Sequence, residues 1–322
     1  MFKGGEILIA IVLVFVILCG FHTYAEAEET EMESVVSSVK VTFYGYIKLD
    51  GAYDTSRMDA GNFGRWVLSE EINEDDDQFN MTARETRVGL LLKGPDIKGV
   101  KTSGKLEIDF YGGGAENKNL PMLRQAYVKL DWVKADFSIL AGQTFDIISP
   151  LVPPTLNYSV GWWVGDIQYR RPQFRLSKGT GSQKKSRLLV ELALVRTIGD
   201  PSGDEAEPFT PGDTGEDAGF PTVEARCALY FPTKADKKAM IGVSGHWGQE
   251  EWDRDNSDDE KVDLDTWSAS FDVYLPIINQ FEIKGNVWIG ENLDAFLGGI
   301  GQGVNRTTLE EIKSVGGWLA LS

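Results

Sequence analysis

Residues 41 to 54, VTFYGYIKLDGAYD, alternate between apolar and polar side chains. An alternation of period two over these fourteen residues predicts a β-strand longer than the usual strand of a globular protein. One face carries Val41, Phe43, Ile47, Leu49 and Tyr53, and the other carries Thr42, Tyr46, Lys48 and Asp50. A strand of this kind has to separate an apolar environment from an aqueous one, which limits the folds that it can join.

The same alternation recurs along the chain, with the charged residues on the polar face. The segments are KLEIDFY (105–111), QAYVKLDW (125–132), RLLVELALV (187–195), TVEARCALYF (222–231), TWSASFDVYL (266–275) and FEIKGNVWI (281–289). Apolar-out and polar-in alternation is typical of transmembrane β-strands. The sequence therefore predicts an all-β fold, a transmembrane antiparallel up-and-down β-barrel. Cys227 falls on the apolar face, so we expect no metal or redox role for it.

The N-terminus predicts export. Lys3 precedes the apolar run 7–18, and Ala25-Glu26-Ala27 suits a signal peptidase, so residues 1–27 are predicted to be a signal peptide; a retained N-terminal helix is the alternative. No later segment has the eighteen or more apolar residues of a membrane helix. An exported chain without such helices can enter a membrane only as a closed barrel.

The connections between the predicted strands are of two kinds. Long acidic connections at 55–81, 199–221 and 249–261 alternate with short, often basic ones such as GPDIKGVK and SKGTGSQKK. Long loops on one side and short turns on the other match a barrel in the outer membrane of a Gram-negative bacterium. We expect residues 28–40 to be a short acidic periplasmic segment and residues 41–322 to be the barrel.

The net charge of −17 is concentrated in the acidic loops, and the strands and turns carry an excess of basic residues. Several bases fall on the polar phase of the predicted strands, together with carboxylates of similar number. The interior is therefore predicted to be of mixed charge. The bases on this phase are Lys48, Arg87, Lys105, Lys129, Arg187, Arg226 and Lys284.

A family resemblance rests on six motifs that follow one another along most of the mature chain. They are VTFYGYIKLDGAYD, TARETRVGLLLKGP (82–95), KLEIDFYGGG (105–114), LRQAYVKLDW (123–132), AGQTFDIISP (141–150) and DIQYRRPQFRLS (166–177). Together they resemble the DcaP-like outer-membrane porins. The resemblance implies a homotrimer of sixteen-stranded barrels that passes small, often anionic solutes such as dicarboxylates, with basic residues lining a narrowed pore.

The number of strands departs from that pattern. About twelve strands can be counted, and the last, SVGGWLALS, ends at Ser322 without the terminal aromatic residue expected of a final strand. We expect a chain truncated at its C-terminus; a smaller even-stranded barrel is the alternative.

The candidate pore site is a cluster of bases. Arg170, Arg171 and Arg175 come from one strand, in which a slip of the alternation at 170–172 predicts a β-bulge that turns Arg170 and Arg175 inward while Ile167 faces lipid. A guanidinium can donate two parallel hydrogen bonds to a carboxylate. Alternatively, Arg170 or Arg171 pairs with a carboxylate or snorkels. The further candidates are Arg87, Lys48, Lys105, Lys129 and Arg124, the last with a phase that places it at the rim.

The proline-rich connection 148–163 has two readings. It either folds into the lumen and narrows it, or forms a surface or trimer contact with Trp162 and Trp163 in the aromatic girdle. The acidic loops lack an EF-hand pattern, so no metal site is predicted, and calcium bound in those loops is the weaker alternative.

Two other classes of protein compete with the porin. One is an outer-membrane hydrolase, for which His246 and Ser244 share a face, although alternate side chains of a strand lie about 6.6 Å apart, too far for a direct hydrogen bond. The other is a secreted carbohydrate-binding β-sandwich. The porin is preferred, without catalytic residues or a cofactor. Its predicted partners are small anionic or polar solutes, outer-membrane lipid and lipopolysaccharide, and not nucleic acid.

Overall fold

A computed structural model describes residues 38–59, 64–73, 76–113, 118–153, 155–156, 165–182, 185–199, 213–254 and 261–322. Residues 38–322 form one unit. The predicted signal peptide, 1–27, and most of the acidic segment 28–40 lie outside the described residues. Among the described residues, no helix has the length and apolar character needed to cross a membrane.

Nearly all of the regular structure is strand. The strands are β1 (Lys40–Tyr46), β2 (Asp50–Asp54), β3 (Gln78–Thr82), β4 (Arg87–Ile97), β5 (Val100–Asp109), β6 (Met122–Trp132), β7 (Phe137–Phe145), β8 (Arg170–Gly181), β9 (Arg187–Val195), β10 (Thr222–Phe231), β11 (Ala239–Asp253), β12 (Lys261–Ile278), β13 (Phe281–Glu291), β14 (Val304–Asn305), β15 (Glu310–Glu311) and β16 (Lys313–Leu321). In the described part of the chain, one short helix, α1 (Glu70–Asn73), and 3₁₀ turns at Val133–Ala135, Asp294–Phe296 and Gly299–Gly301 complete the elements.

Twelve strands form one antiparallel sheet in the order β1-β4-β5-β6-β7-β8-β9-β10-β11-β12-β13-β16. Each strand pairs with the next long strand along the chain, so the predicted up-and-down topology and the count of about twelve strands are confirmed. The described residues of β1 and β16 are the two edges of this sheet and do not pair with each other. The small pairs β2-β3 and β14-β15 lie within the connections.

The predicted strand 41–54 is divided into β1 and β2. At the break, the hydroxyl of Thr86 bonds both to the backbone N–H of Lys48, at 3.2 Å, and to its carbonyl, at 3.4 Å. Backbone N–H and C=O groups away from water need hydrogen-bond partners. At Lys48 the Thr86 hydroxyl provides them in place of a neighbouring strand. A single strand through residue 54 was therefore wrong.

The two faces of the sheet differ as the alternation predicts. On the outer face, Phe43 is 72% exposed and Val243 55% exposed, as expected of side chains that contact lipid. Cys227 is half-buried on this face. On the inner face, Glu224 and Asp272 are fully buried.

Two inserted segments cover part of the inner face. The first comprises 146–149 and 165–169, the two described ends of the β7–β8 connection, and the second is 292–298, after β13. Ile148 and Ile167 of the first pack with Leu293 and Phe296 of the second against Trp288 of β13. Ile167 is fully buried in this cluster, so the prediction that it faces lipid was wrong: residues 166–169 precede β8 and cross the inner face.

Candidate pore lining

Arg171 joins the two inserted segments to the wall. Its Nε lies 3.1 Å from Oδ1 of Asp146, and both side chains are almost fully buried. Its Nη2 donates to the carbonyl of Ala295 at 3.0 Å, and its guanidinium lies 4.0 Å from the ring centroid of Phe296. A buried charge needs a partner of this kind to offset its loss of hydration. Arg171 is thus placed to hold the segments.

The predicted bulge at 170–172 is absent. Strand β8 pairs with β7 in continuous register from Arg170, opposite Phe145, to Lys178, opposite Phe137. Arg171 and Arg175 therefore share the inner face, whereas Arg170 has the opposite phase, and its guanidinium lies 5.4 Å from the ring of Phe145. The prediction that Arg170 and Arg175 both point inward was wrong. The strand begins at Arg170, and the apolar residues before it, which suggested a slip of the alternation, belong to an inserted segment.

Arg175 lies in the middle of β8 and is half-buried. Its Nε donates to Oε1 of Gln173 at 2.9 Å, and its Nη2 donates to the carbonyl of Phe145. No carboxylate of the described residues lies within 4.0 Å of its guanidinium. The side chain is thus oriented by neutral acceptors, and its charge is not cancelled by an ion pair there.

A bulge does occur in β6. Gln125 pairs with Glu107 and Leu123 pairs with Ile108, so Arg124 is the extra residue. Arg124 and Gln125 consequently both lie on the inner face, where Nε of Arg124 is 3.2 Å and Nε2 of Gln125 is 3.1 Å from Oε1 of Glu107. The expectation that Arg124 lies at a lipid-facing rim was wrong, because a bulge reverses the phase on one side of it.

Glu107 is the centre of a cluster on β1, β4, β5 and β6. Lys105 lies 3.1 Å from it and Arg87 3.9 Å, and the hydroxyl of Tyr44 donates to it at 2.6 Å. Arg124 also bonds Asp109. Arg87 and Lys105 therefore lie on the inner face as predicted, but in contact with a carboxylate.

Lys48 and Lys129 lie beside carboxylates as well. Lys48 pairs with Glu85 and lies 3.2 Å from Asp50, and it donates to the carbonyl of Leu156 at 2.9 Å. Lys129 lies 2.9 Å from Asp131, and its side chain is 36% exposed. Lys48 thus contacts the β7–β8 connection, whereas Lys129 faces open space.

The described ends of the 148–163 connection lie on the inner face. The backbone N–H of Ser149 donates to Ser244 Oγ at 3.2 Å, and that of Ile147 donates to Glu224 at 2.9 Å. At the other end, Asn286 donates to Asp166 at 2.9 Å. These contacts agree with the lumen-narrowing alternative. Trp162 and Trp163 lie outside the described residues, as do 255–260 of the acidic loops.

The second inserted segment was missed by the sequence analysis. Its signal is NLDAFLGG at 292–299, which places three large apolar residues in a connection expected to face water. Asn292 and Leu297 have φ of 51° and 60°, a left-handed conformation that asparagine tolerates well. Leu293 and Phe296 are buried, so the apolar residues turn back into the interior.

The residues considered for hydrolysis are not bonded to each other. His246 lies 2.7 Å from Ser268 Oγ and 2.9 Å from Thr266 Oγ1, and its ring stacks on Phe296 at 3.8 Å. Ser244 Oγ lies 2.7 Å from Ser270 Oγ. His246 is buried and packs against the second inserted segment through Phe296. In the part of the chain that the structure describes, no cluster of three or more metal-binding side chains occurs.

Comparison with known proteins identifies the family. A family model described as the DcaP outer membrane protein matches residues 23–190. The chain belongs to the DcaP outer membrane protein family. This confirms the resemblance and places the DcaP family member in the outer membrane of a Gram-negative bacterium.

One solved structure supports the fold. The outer membrane channel DcaP of Acinetobacter baumannii is similar with a TM-score of 0.59 and 18% identity, over 80% of this chain and 66% of that one. The chain thus spans slightly less than two thirds of that channel. Two further structures match with lower TM-scores. They are an anion-selective porin from Comamonas acidovorans (16% identity, 78% of this chain and 79% of that one, TM-score 0.33) and a loop-deletion mutant of OmpT from Vibrio cholerae (9% identity, 79% and 82%, TM-score 0.38). No curated protein matches the chain.

The inner face of this DcaP family member has two unlike parts. The filled wall, on β10–β13, lies under the inserted segments, and Glu224, Asp272 and Asn286 are at most 3% exposed there. The open wall, on β4–β8, has half-buried Lys105, Tyr127, Lys129 and Arg175. Any aqueous path along the described residues therefore follows the open wall.

Proposed function

We propose that this DcaP family member forms a water-filled channel for passive diffusion of small hydrophilic solutes, with a preference for anions such as dicarboxylates. The observation that carries the proposal is the guanidinium of Arg175. It lies on the open wall, is oriented by Gln173 and the Phe145 carbonyl, and has no ion-pair partner among the described residues.

The chemistry of this group suits a carboxylate. A guanidinium has five N–H donors, and the two contacts of Arg175 leave donors that can form paired hydrogen bonds with a planar carboxylate. Basic side chains around a pore are a standard source of anion preference. We propose that Lys48, Arg87, Lys105 and Lys129 contribute to the same field, each weakened by a neighbouring carboxylate. Arg124 and Arg171 would shape the pore from buried positions, whereas Arg170, on the opposite phase of β8, would support the wall beside Phe145.

The comparisons favour a channel over an enzyme. The similar protein of A. baumannii is described as an outer membrane channel, and the family model is that of an outer membrane protein. Export would depend on a signal peptide at 1–27, and outer-membrane lipid and lipopolysaccharide would surround the outer face. No residue of the inner face is proposed to be catalytic.

We also propose a homotrimer. Chemical crosslinking in native outer membranes should yield a species of three chains, and recovery of the single chain alone would contradict this assembly.

The channel is tested in planar bilayers with protein extracted from outer membranes. In a salt gradient, the reversal potential of the wild type should show anion preference, and succinate should reduce the conductance. Arg175→Gln should lower the anion-to-cation permeability ratio about threefold or more, because a partly desolvated charge acts strongly at close range. The control is Lys185→Gln, which removes an equal charge from an exposed turn.

Two results would contradict the proposal. A wild-type channel without anion preference would exclude the anionic substrate class. If Arg175→Gln migrates in unheated gels like the folded wild type and keeps the wild-type ion selectivity, Arg175 is not the source of the anion preference.

A further inference from the structure

The register of the sheet aligns four basic residues on one line. Lys40 of β1 is directly opposite Lys93 of β4, and Lys93 is opposite Ser103 of β5. Ser103 is opposite Lys129 of β6. Leu140 of β7 lies between Lys129 and Arg175, since it is opposite both.

All of these residues have the inner-face phase. Lys93 is in phase with Arg87, which reaches inner-face Glu107, and Lys40 is opposite Lys93. The residues between the bases, Ser103 and Leu140, carry no charge. We call Lys40, Lys93, Lys129 and Arg175 the basic row.

Distances along the row follow from sheet geometry. Directly opposed side chains have Cβ atoms about 5 Å apart, and strands are spaced by about 4.8 Å. Lys40 and Lys93 are therefore neighbours, and each further step, to Lys129 and then to Arg175, crosses two strands, or about 10 Å. A dicarboxylate can contact one base while it leaves the previous one.

The row also has a direction. Lys40 begins β1, and Lys93 and Lys129 are close to the short turns that end β4 and β6, whereas Arg175 lies mid-strand. Strands of outer-membrane barrels are tilted by about 35–45°, so a line perpendicular to them climbs through the wall. The row thus rises from the short-turn mouth to the border of the inserted segments.

The outermost pair is electrostatically unfavourable when alone. Like charges directly opposite each other destabilise a sheet, and neither Lys40 nor Lys93 has a described carboxylate within 4.0 Å. Both are exposed. An anion bound between the two ammonium groups would attract both and offset their mutual repulsion.

We infer that Lys40 and Lys93 form an anion-binding site at the short-turn mouth and that the basic row conducts carboxylates between this site and Arg175. The inference rests on the proposed channel function and extends it to residues that the sequence analysis did not select. Lys129 is the intermediate step, and its contact with Asp131 weakens its hold on a passing anion. The anion can therefore leave Lys129 as readily as it binds there, and conduction requires such weak binding.

The test compares two double variants in planar bilayers. Lys40→Gln with Lys93→Gln removes the mouth site, and Lys185→Gln with Lys234→Gln removes two exposed charges from turns outside the row. Succinate is added to one side and then to the other. In the wild type, succinate should block the current more strongly when it is added on the side of the short turns. The first variant should need about threefold more succinate on that side only, and the second variant should behave as the wild type.

A charge reversal provides a second measurement. Lys93→Glu replaces a repulsive cross-strand pair with an attractive one, so it should fold as well as the wild type and lose the stronger of the two succinate blocks. If wild-type anion preference is present but both variants keep the wild-type asymmetry, the row is wrong and the proposed function survives. If the wild type has no anion preference, both are wrong.

Discussion

At the scale of single residues, the basic side chains of the inner face have unlike roles although they look alike in the sequence. Arg124 is 2% exposed and contacts two carboxylates, Glu107 and Asp109, whereas Lys129 has one carboxylate neighbour and remains 36% exposed. Burial decides the difference, because removing one member of a buried pair leaves the other charge uncompensated.

We therefore expect Arg124→Ala to destabilise the protein strongly. Loss of a partner from a buried ion pair costs about 3–5 kcal/mol, and Glu107 would keep only its contacts with Tyr44, Arg87, Lys105 and Gln125. The measurement is urea-induced unfolding in detergent. Lys129→Ala is the control, since an exposed pair contributes about 0–1 kcal/mol. Equal losses for both variants would contradict the difference in burial.

At the scale of elements, the second inserted segment is held from two sides through one ring. Arg171 of β8 lies 4.0 Å and His246 of β11 lies 3.8 Å from Phe296. Contacts of this kind join strands that are not neighbours in the sheet. The segment therefore acts as a brace: it connects β8 and β11 across the inner face through the ring of Phe296.

Removal of the ring should weaken this brace. Phe296→Ala should lower stability by about 3–5 kcal/mol, as for other buried aromatic residues, and should raise the single-channel conductance as the interior becomes less filled. Phe271→Ala, on the outer face with 46% exposure, is the matched control. Unchanged conductance in a folded Phe296→Ala protein would show that the segment does not limit the path.

The short turn between β6 and β7 should respond to pH. Arg187 donates two hydrogen bonds to Asp136, at 2.7 and 2.8 Å, and this bonding lowers the pKa of the Asp136 carboxyl. The resulting stability is complete above the unfolded pKa of about 3.9 and is lost as the pH falls through the folded pKa.

Asp136→Asn should accordingly be less stable than the wild type at pH 7, by about 1 kcal/mol or less for a half-exposed pair. The difference should disappear in strong acid. The temperature of thermal unfolding in detergent, measured over a series of pH values, checks this difference, with Asp76→Asn, at an exposed loop residue, as the control. A difference that persists in acid would exclude the ion pair as its cause.

The sequence was a good guide to local periodicity and a poor one to contacts between distant segments. Alternation located the strands and the inner-face phase of Arg87, Lys105 and Lys129, because side chains of a strand point to opposite faces in turn. It misplaced Arg124, since the extra residue of a bulge has no local signature. It could not show that Arg171 is held by Asp146 and Phe296, since those residues belong to other segments of the chain.

At the scale of the whole molecule, the filled wall and the open wall separate two tasks. The filled wall includes the buried bidentate pair of Arg226 with Asp272, at 2.5 and 2.8 Å. The open wall and β1 have the half-buried and exposed bases of the basic row. Stability therefore depends on β10–β13 and on the buried cluster of Arg124, Glu107 and Asp109, whereas the proposed selectivity depends on the less buried bases of β1 and β4–β8.

This separation has a consequence for how such a protein can diversify. Substitutions of the half-exposed bases of the open wall can change the preferred solute at little energetic cost, because half-exposed side chains have few packing partners. Substitutions under the inserted segments are restricted by packing, whatever the solute. Related proteins in habitats with different nutrients can thus differ in one half of their interior and keep the other half nearly constant.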